Sequence, residues 1–178
     1  WVSRDFARAG DGGTGAAKFG GNYAASLAAQ LQGASRGHDQ VIFLDRSPDE
    51  SLEELGGMNV FFVTRDNKLV TPKLTGTILE GITRDSILQL GKDQGLEVEE
   101  RRITFNEWKD GVASDDIQEV FACGTAAVIT PIGQVADREE VHTTPSTDFP
   151  VANALRNRLV GIQTGHEEDT YGWMHRLA

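Results

Sequence analysis

Four short runs of this chain are apolar without alternation. They are Gln40 to Asp45 (QVIFLD), Asn59 to Thr64 (NVFFVT), Glu119 to Ala122 (EVFA) and Ala127 to Thr130 (AVIT). A strand with one wet face alternates apolar and polar residues, so runs like these suit strands buried on both faces. Helical patterns lie between the runs. Asn22 to Ser35 is rich in strong helix formers, with Ala24, Leu27, Ala28 and Leu31 spaced for one apolar face and Gly37 as its stop. Thr83 to Asp93 carries Ile87, Leu88 and Leu90, and Gly95 closes it. Thr104 with Glu107 three residues on forms a capping-box pattern and predicts a short helix over Phe105 to Gly111, with Trp108 in the core. Val151, Leu155, Leu159 and Ile162 mark a last helix, and Tyr171 and Trp173 would dock the tail.

Strands are expected over Trp1 to Arg8 and Glu97 to Ile103. Asp66-Asn67 marks a hairpin turn, with Leu69 to Thr71 continuing on its far side. Arg46 to Glu53, with Pro48, reads as a charged surface loop, and Val135 to Pro150 as a polar, irregular segment. No internal repeat or linker interrupts the pattern, so residues 1–178 read as a single α/β domain.

The net charge of −10 argues against nonspecific binding to nucleic acid or to an anionic membrane. It leaves room for an anionic ligand held by backbone N–H groups. One cysteine, Cys123, allows no intrachain disulfide and no cysteine metal cluster, which fits a reducing, cytoplasmic compartment. No long apolar run resembles a membrane span. His38, His142, His166 and His175 are scattered without metal-ligand spacing, so no metal is expected.

Candidate chemistry begins at GGTGAAKFGGNYAASL, Gly12 to Leu27, where Lys18 stands among small residues just ahead of a helix. The lysine is either solvated on a flexible loop or a nucleophile for a carbonyl cofactor. At Gly81-Ile82-Thr83 a glycine and a hydroxyl open a helix, so Thr83 either caps it or helps its free amides hold an anion. Cys123-Gly124-Thr125-Ala126-Ala127 is a turn of small residues that could form an anion nest or could simply be crowded. Cys123 itself reads as a small buried hydrophobe. In Glu53-Glu54-Leu55-Gly56-Gly57 a carboxylate precedes two glycines and a buried strand; Glu53 suits a solvated loop, and Glu54 suits an inward position that requires a partner.

Taken in order, AAKFGGNY, ELGGMNVFFV, LEGITRDS and EVFACGTAAVITP resemble the class IV aminotransferases, the fold-type IV pyridoxal-phosphate enzymes. The set looks like the branched-chain amino acid aminotransferases among them, over nearly the whole chain. The resemblance implies the α/β (α+β type) large, C-terminal domain of the D-amino acid aminotransferase-like fold, with the family's smaller N-terminal domain absent from this sequence. It implies pyridoxal 5′-phosphate as cofactor and transfer of the amino group of leucine, isoleucine or valine to 2-oxoglutarate, in a homodimer. Lys18 would be the Schiff-base lysine and proton carrier, Tyr23 would reach the cofactor's phenolic oxygen, and Glu54 would pair with its ring nitrogen. Leu79 would line the ring, Gly81, Ile82 and Thr83 would hold the phosphate with Thr125, and Thr125 and Ala126 would lie near the substrate carboxylate. Glu80 stands where many relatives have proline, beside the expected phosphate site, and so is expected to point away. The CxxC of mammalian relatives is replaced at Ala127 and Thr130, so no thiol switch of that kind is expected. Aminodeoxychorismate lyase and D-amino acid transaminase chemistry, or a cofactor-docking role without turnover of its own, are the alternatives this resemblance leaves.

Overall fold

A computed structural model describes residues 1–175 and 177. Its centre is a five-stranded sheet in the order β6-β5-β4-β7-β8. The strands are β4 (Asn59–Thr64), β5 (Lys68–Pro72), β6 (Glu97–Arg101), β7 (Ile117–Gly124) and β8 (Val128–Pro131). β4 runs antiparallel to β5 and to β7, β7 antiparallel to β8, and β5 parallel to β6. The parallel pair requires a crossover, supplied by α2 (Ile82–Asp93). Asn67, at φ 66°, turns the β4–β5 hairpin, in the left-handed region that asparagine tolerates.

The apolar runs of β4 and β7 are continuous because both faces of this sheet are covered there, whereas β8, at its edge, buries only Ile129. Val60, Phe62, Val70, Val120 and Ala122 point to one side, where they meet Phe105, Trp108 and Val112 of α3 (Phe105–Ala113). Phe61, Val63, Leu69, Phe121 and Cys123 point to the other. There they meet Ile87, Leu88 and Leu90 of α2 and Ala152, Leu155, Leu159 and Ile162 of α4 (Pro150–Gln163). Phe61 and Phe121 stack at 5.3 Å between centroids, and Trp108 meets Phe62 edge-on at 5.2 Å. Tyr171 and Trp173 stack on one another at 4.2 Å and pack against the second core, so the tail docks as expected. No described helix is long and apolar enough to cross a membrane.

A three-stranded sheet, β1 (Val2–Ser3), β2 (Ile42–Leu44) and β3 (Leu52–Leu55), adjoins the first core. α1 (Gly20–Ser35) lies on β2 through Ala29, Val41 and Phe43. The fit is close: a Cβ at Gly33 would stand 2.7 Å from Val41 Cγ2. Gly37, at φ +82°, ends α1 as expected. The Thr104 hydroxyl accepts from the Glu107 amide 3.1 Å away, half of the capping box. The Glu107 carboxylate turns to Arg101 instead of completing it.

Four expectations need correction. The N-terminal strand is two residues long, because Arg4 leaves the sheet to pair with Glu50 and Asp137. Residues 52–55, including Glu53, form β3, because their backbone completes the small sheet beside β2. The supposedly irregular segment after Val135 contains a hairpin, β9 (Gln134–Asp137) with β10 (Glu140–Thr143). Only Val135 and Ala136 of the hairpin strands are buried, so its hydrophobic signal is short. The apolar face of α1 points outward: Leu27 is 61% and Leu31 73% exposed, while Asn22, Ala29 and Gly33 are buried. Close approach of backbone to β2 selected small residues for the inner face, which hydropathy spacing does not register.

Glu119 is a buried acid in the middle of β7. Its two oxygens accept from Val151 and Ala152, at 2.9 Å each, the free amides opening α4. Glu119→Ala should lower unfolding stability by about 2 kcal/mol by leaving these donors unpaired, and Glu119→Gln by less. Chemical denaturation of both variants checks this.

Candidate functional site

The glycine-rich segment before α1 is locked by its neighbours rather than free. Gly15 lies so close to Thr77 that a Cβ there would stand 2.5 Å from the Thr77 backbone. Asn22, in the first turn of α1, donates through Nδ2 to the carbonyls of Thr14 (2.7 Å) and Ala17 (3.1 Å). Its Oδ1 accepts from the Thr14 hydroxyl at 2.8 Å. These bonds fold residues 14–22 into a fixed hook, and Lys18 sits on its outer side.

Glu54, on β3, is 1% exposed. Its Oε1 accepts the Leu79 amide in a short hydrogen bond. Its Oε2 lies 2.7 Å from Arg8 Nε, an ion pair. That N–H is not aligned with Oε2, which is left buried without a hydrogen bond. Burial pushes the Glu54 carboxyl up to about 7; the Arg8 charge and the Leu79 amide pull the other way without overcoming it. The expected buried partner of Glu54 is therefore Arg8, a residue whose only sequence signal is a place ten positions before Lys18 in a charged segment.

Two further loops converge on the same region. Asn59, which opens β4 four residues after β3, donates to the Leu79 carbonyl at 3.0 Å. A Cβ at Gly81 would meet Asn59 Oδ1 at 2.3 Å. The start of α2 is thus held against the start of β4. Gly81 is its N-cap, with no side-chain cap, so Thr83 does not cap the helix. The amides opening α2 lack intrahelical partners. Across the sheet Asn59 pairs with Cys123, and Gly124 lies against Met58, which carries the exposed turn at Thr125 and Ala126 to the same end. The Tyr23 ring passes Gly57, its Cε1 3.7 Å from where a Cβ would be.

The structure therefore gathers Glu54, Leu79, Gly81, Ile82, Thr83, Thr125 and Ala126 at one end of the two sheets, with Tyr23 beside the β3–β4 turn. Lys18 is exposed. Its neighbours from Gly12 to Ala17 are nearly all glycine and alanine and supply no side chain to cover it. Glu53 is corrected: it is 4% exposed, its Oε2 has no hydrogen bond, and burial raises its pKa. Glu80 is exposed. Cys123 is fully buried and its thiol is pushed up to about 12 by desolvation, so it is not a nucleophile. No group of acidic, histidine or cysteine residues suited to a metal ion occurs among the described residues.

A buried acid with an unpaired oxygen, a lysine hook and the turns at Leu79 to Thr83 and at Thr125-Ala126 form one end of an α/β fold, and residues 5–135 match the sequence pattern of class IV amino-transferases. The chain belongs to that family. It is 54% identical to the branched-chain-amino-acid aminotransferase of Mycobacterium tuberculosis strain H37Rv, across 99% of this chain and 49% of that protein. It is 51% identical to the probable branched-chain-amino-acid aminotransferase of Streptomyces coelicolor, across 100% of this chain and 49% of that protein. The chain spans about half the length of the curated relatives it matches. The structure of the branched-chain amino acid aminotransferase of Escherichia coli superposes with a TM-score of 0.84 at 33% identity, over 98% of this chain and 54% of that one. The branched-chain amino acid aminotransferase of Thermobaculum terrenum, in its PLP (holo) form, superposes with a TM-score of 0.79 at 33% identity, over 93% of this chain and 51% of that one.

The raised Glu54 pKa has a definite sign. A carboxyl near 4.5 when unfolded and near 7 when folded binds its proton more tightly in the native state. Its contribution to stability is therefore greatest below pH 4.5 and is lost as pH rises toward and past 7. Between pH 5 and pH 8 the loss should be on the order of 2–3 kcal/mol. Glu54→Gln, which cannot titrate, should remove this slope, as urea unfolding of the chain at both pH values would reveal.

Proposed function

We propose that this chain is the cofactor-binding, larger C-terminal domain of a pyridoxal-phosphate-dependent transaminase acting on leucine, isoleucine and valine with 2-oxoglutarate. The observation that carries the reading is Glu54 Oε2, buried, beside a guanidinium and without a hydrogen bond. A protonated ring nitrogen is the donor such an oxygen lacks, so the residues present fit this cofactor. The names of the relatives from Mycobacterium tuberculosis and Streptomyces coelicolor support branched-chain amino acids as substrates, and the PLP form of the Thermobaculum terrenum enzyme supports the cofactor.

When bound, pyridoxal phosphate supplies a carbonyl that condenses with amines and a cationic ring that accepts electrons from the substrate Cα. Glu54 would keep that ring protonated. The unpaired amides at the start of α2, with the Thr83 hydroxyl and Thr125 from the β7–β8 turn, would hold the phosphate. Leu79 would lie along the ring and Tyr23 would donate to its phenolic oxygen. Lys18 would hold the cofactor covalently at rest and, released, would take the proton from the substrate Cα. Thr125 and Ala126 would orient the substrate carboxylate. Homodimerisation fits the outward apolar residues Leu27 and Leu31, which a second surface would bury.

Lys18→Ala should retain no covalently bound pyridoxal phosphate after dialysis. It should also lower leucine-to-2-oxoglutarate amino transfer by at least about 100-fold. Absorbance of the dialysed protein and a coupled assay for glutamate measure the two effects. Full transfer by the variant would overturn the assignment, and a substrate panel scored for pyruvate release would expose lyase chemistry.

A further inference from the structure

Arg8 has a role that neither the motifs nor the relatives' names assign. Its side chain is 3% exposed, and its one ion-pair partner among the described residues is Glu54. The guanidinium reaches three separate segments. Nε lies 2.7 Å from Glu54 Oε2 on β3. Nη1 donates to the Gly15 carbonyl, in the hook that carries Lys18, at 3.0 Å. The same nitrogen donates to the Thr77 carbonyl, two residues before Leu79, in a short hydrogen bond. Gly15 and Thr77 also touch directly, at a distance that no side chain on residue 15 would permit.

We propose that Arg8 is a positioning residue that fastens the lysine hook, the ring acid and the loop leading into α2 into one rigid unit. The inference rests on the cofactor reading given above, but its mechanical part does not. A guanidinium suits this role because it is planar, always charged, and presents donors on several sides at once. Lysine could hold Glu54 or one carbonyl, but it lacks the fork that spans all three. Arg8 supplies the compensating charge, while its misaligned Nε–H leaves the buried Oε2 without a hydrogen bond. Leu79 is tied to the same unit twice, by its amide to Glu54 and by its carbonyl to Asn59. Movement of the hook would therefore be felt at the ring acid and at the amides that open α2.

Arg8→Met and Arg8→Lys test this with two independent readouts. Hydrogen exchange on the protein without cofactor should show faster exchange in residues 12–19 and 74–81 of Arg8→Met, with α4 unchanged. Arg8→Lys should fall between Arg8→Met and the parent. In the same variants the dissociation constant for pyridoxal phosphate should rise by about 10- to 100-fold for methionine and by less for lysine. The absorbance maximum of whatever cofactor is bound should shift, because the acid facing the ring is no longer aimed. Local exchange and cofactor affinity both unchanged in Arg8→Met would overturn the proposal. So would exchange that rises equally in α4 in both variants, which would mark Arg8 as a general core residue. If the parent protein binds no pyridoxal phosphate but exchange rises in both loops, the clamp stands and the cofactor reading fails.

Discussion

A charge removed from water must find its opposite, and at the candidate site this requirement is met by Arg8 and Glu54. Each is almost wholly buried, and each would be costly alone. Their contact ties Arg8 to the end of β3, and so fixes where the glycine-rich hook can lie. The carbonyls of Gly15 and Thr77 complete the guanidinium's partners, so the electrostatic need of one side chain sets the path of two loops. The desolvation that makes the pair unfavourable on its own also leaves the acid poised near neutrality.

The sheet supplies the other half of the site's geometry. β4 and β7 are central strands, covered on both faces, and their register sets Asn59 opposite Cys123. From that single pairing follow the closeness of Met58 to Gly124 and the placing of the β7–β8 turn beside the start of α2. Asn59 then commits its amide to Leu79. The site is thus built at the ends of rigid elements, and its loops are short and tied.

Much of this is legible in the residues. NVFFVT and EVFA announce two-sided burial, and the helices over 83–93 and 151–162 keep their apolar spacing in the structure. The motifs also lead to Glu54, Thr83 and Thr125. Three features are not legible, for different physical reasons. Arg8 looks like any surface arginine, because burial of a charge depends on a partner forty-six positions away. Glu53 reads as solvated because local composition is charged, yet strand pairing takes it inside. In α1 the hydrophobic spacing points to the wrong face: the packed side is the one with the least side chain, where backbone meets backbone at Gly33. Lys18 lies outside the same packing, on a hook whose backbone is tied by Asn22 and whose side chain is exposed.

The single cysteine has a practical consequence. Cys123 lies under both aromatic stacking and helix packing, and its thiol stays protonated across ordinary working conditions. Maleimide or iodoacetamide reagents therefore find no native target in the folded chain. A cysteine placed on the hook or on the outer side of α1 could carry a fluorophore at one defined position, with no background to engineer away.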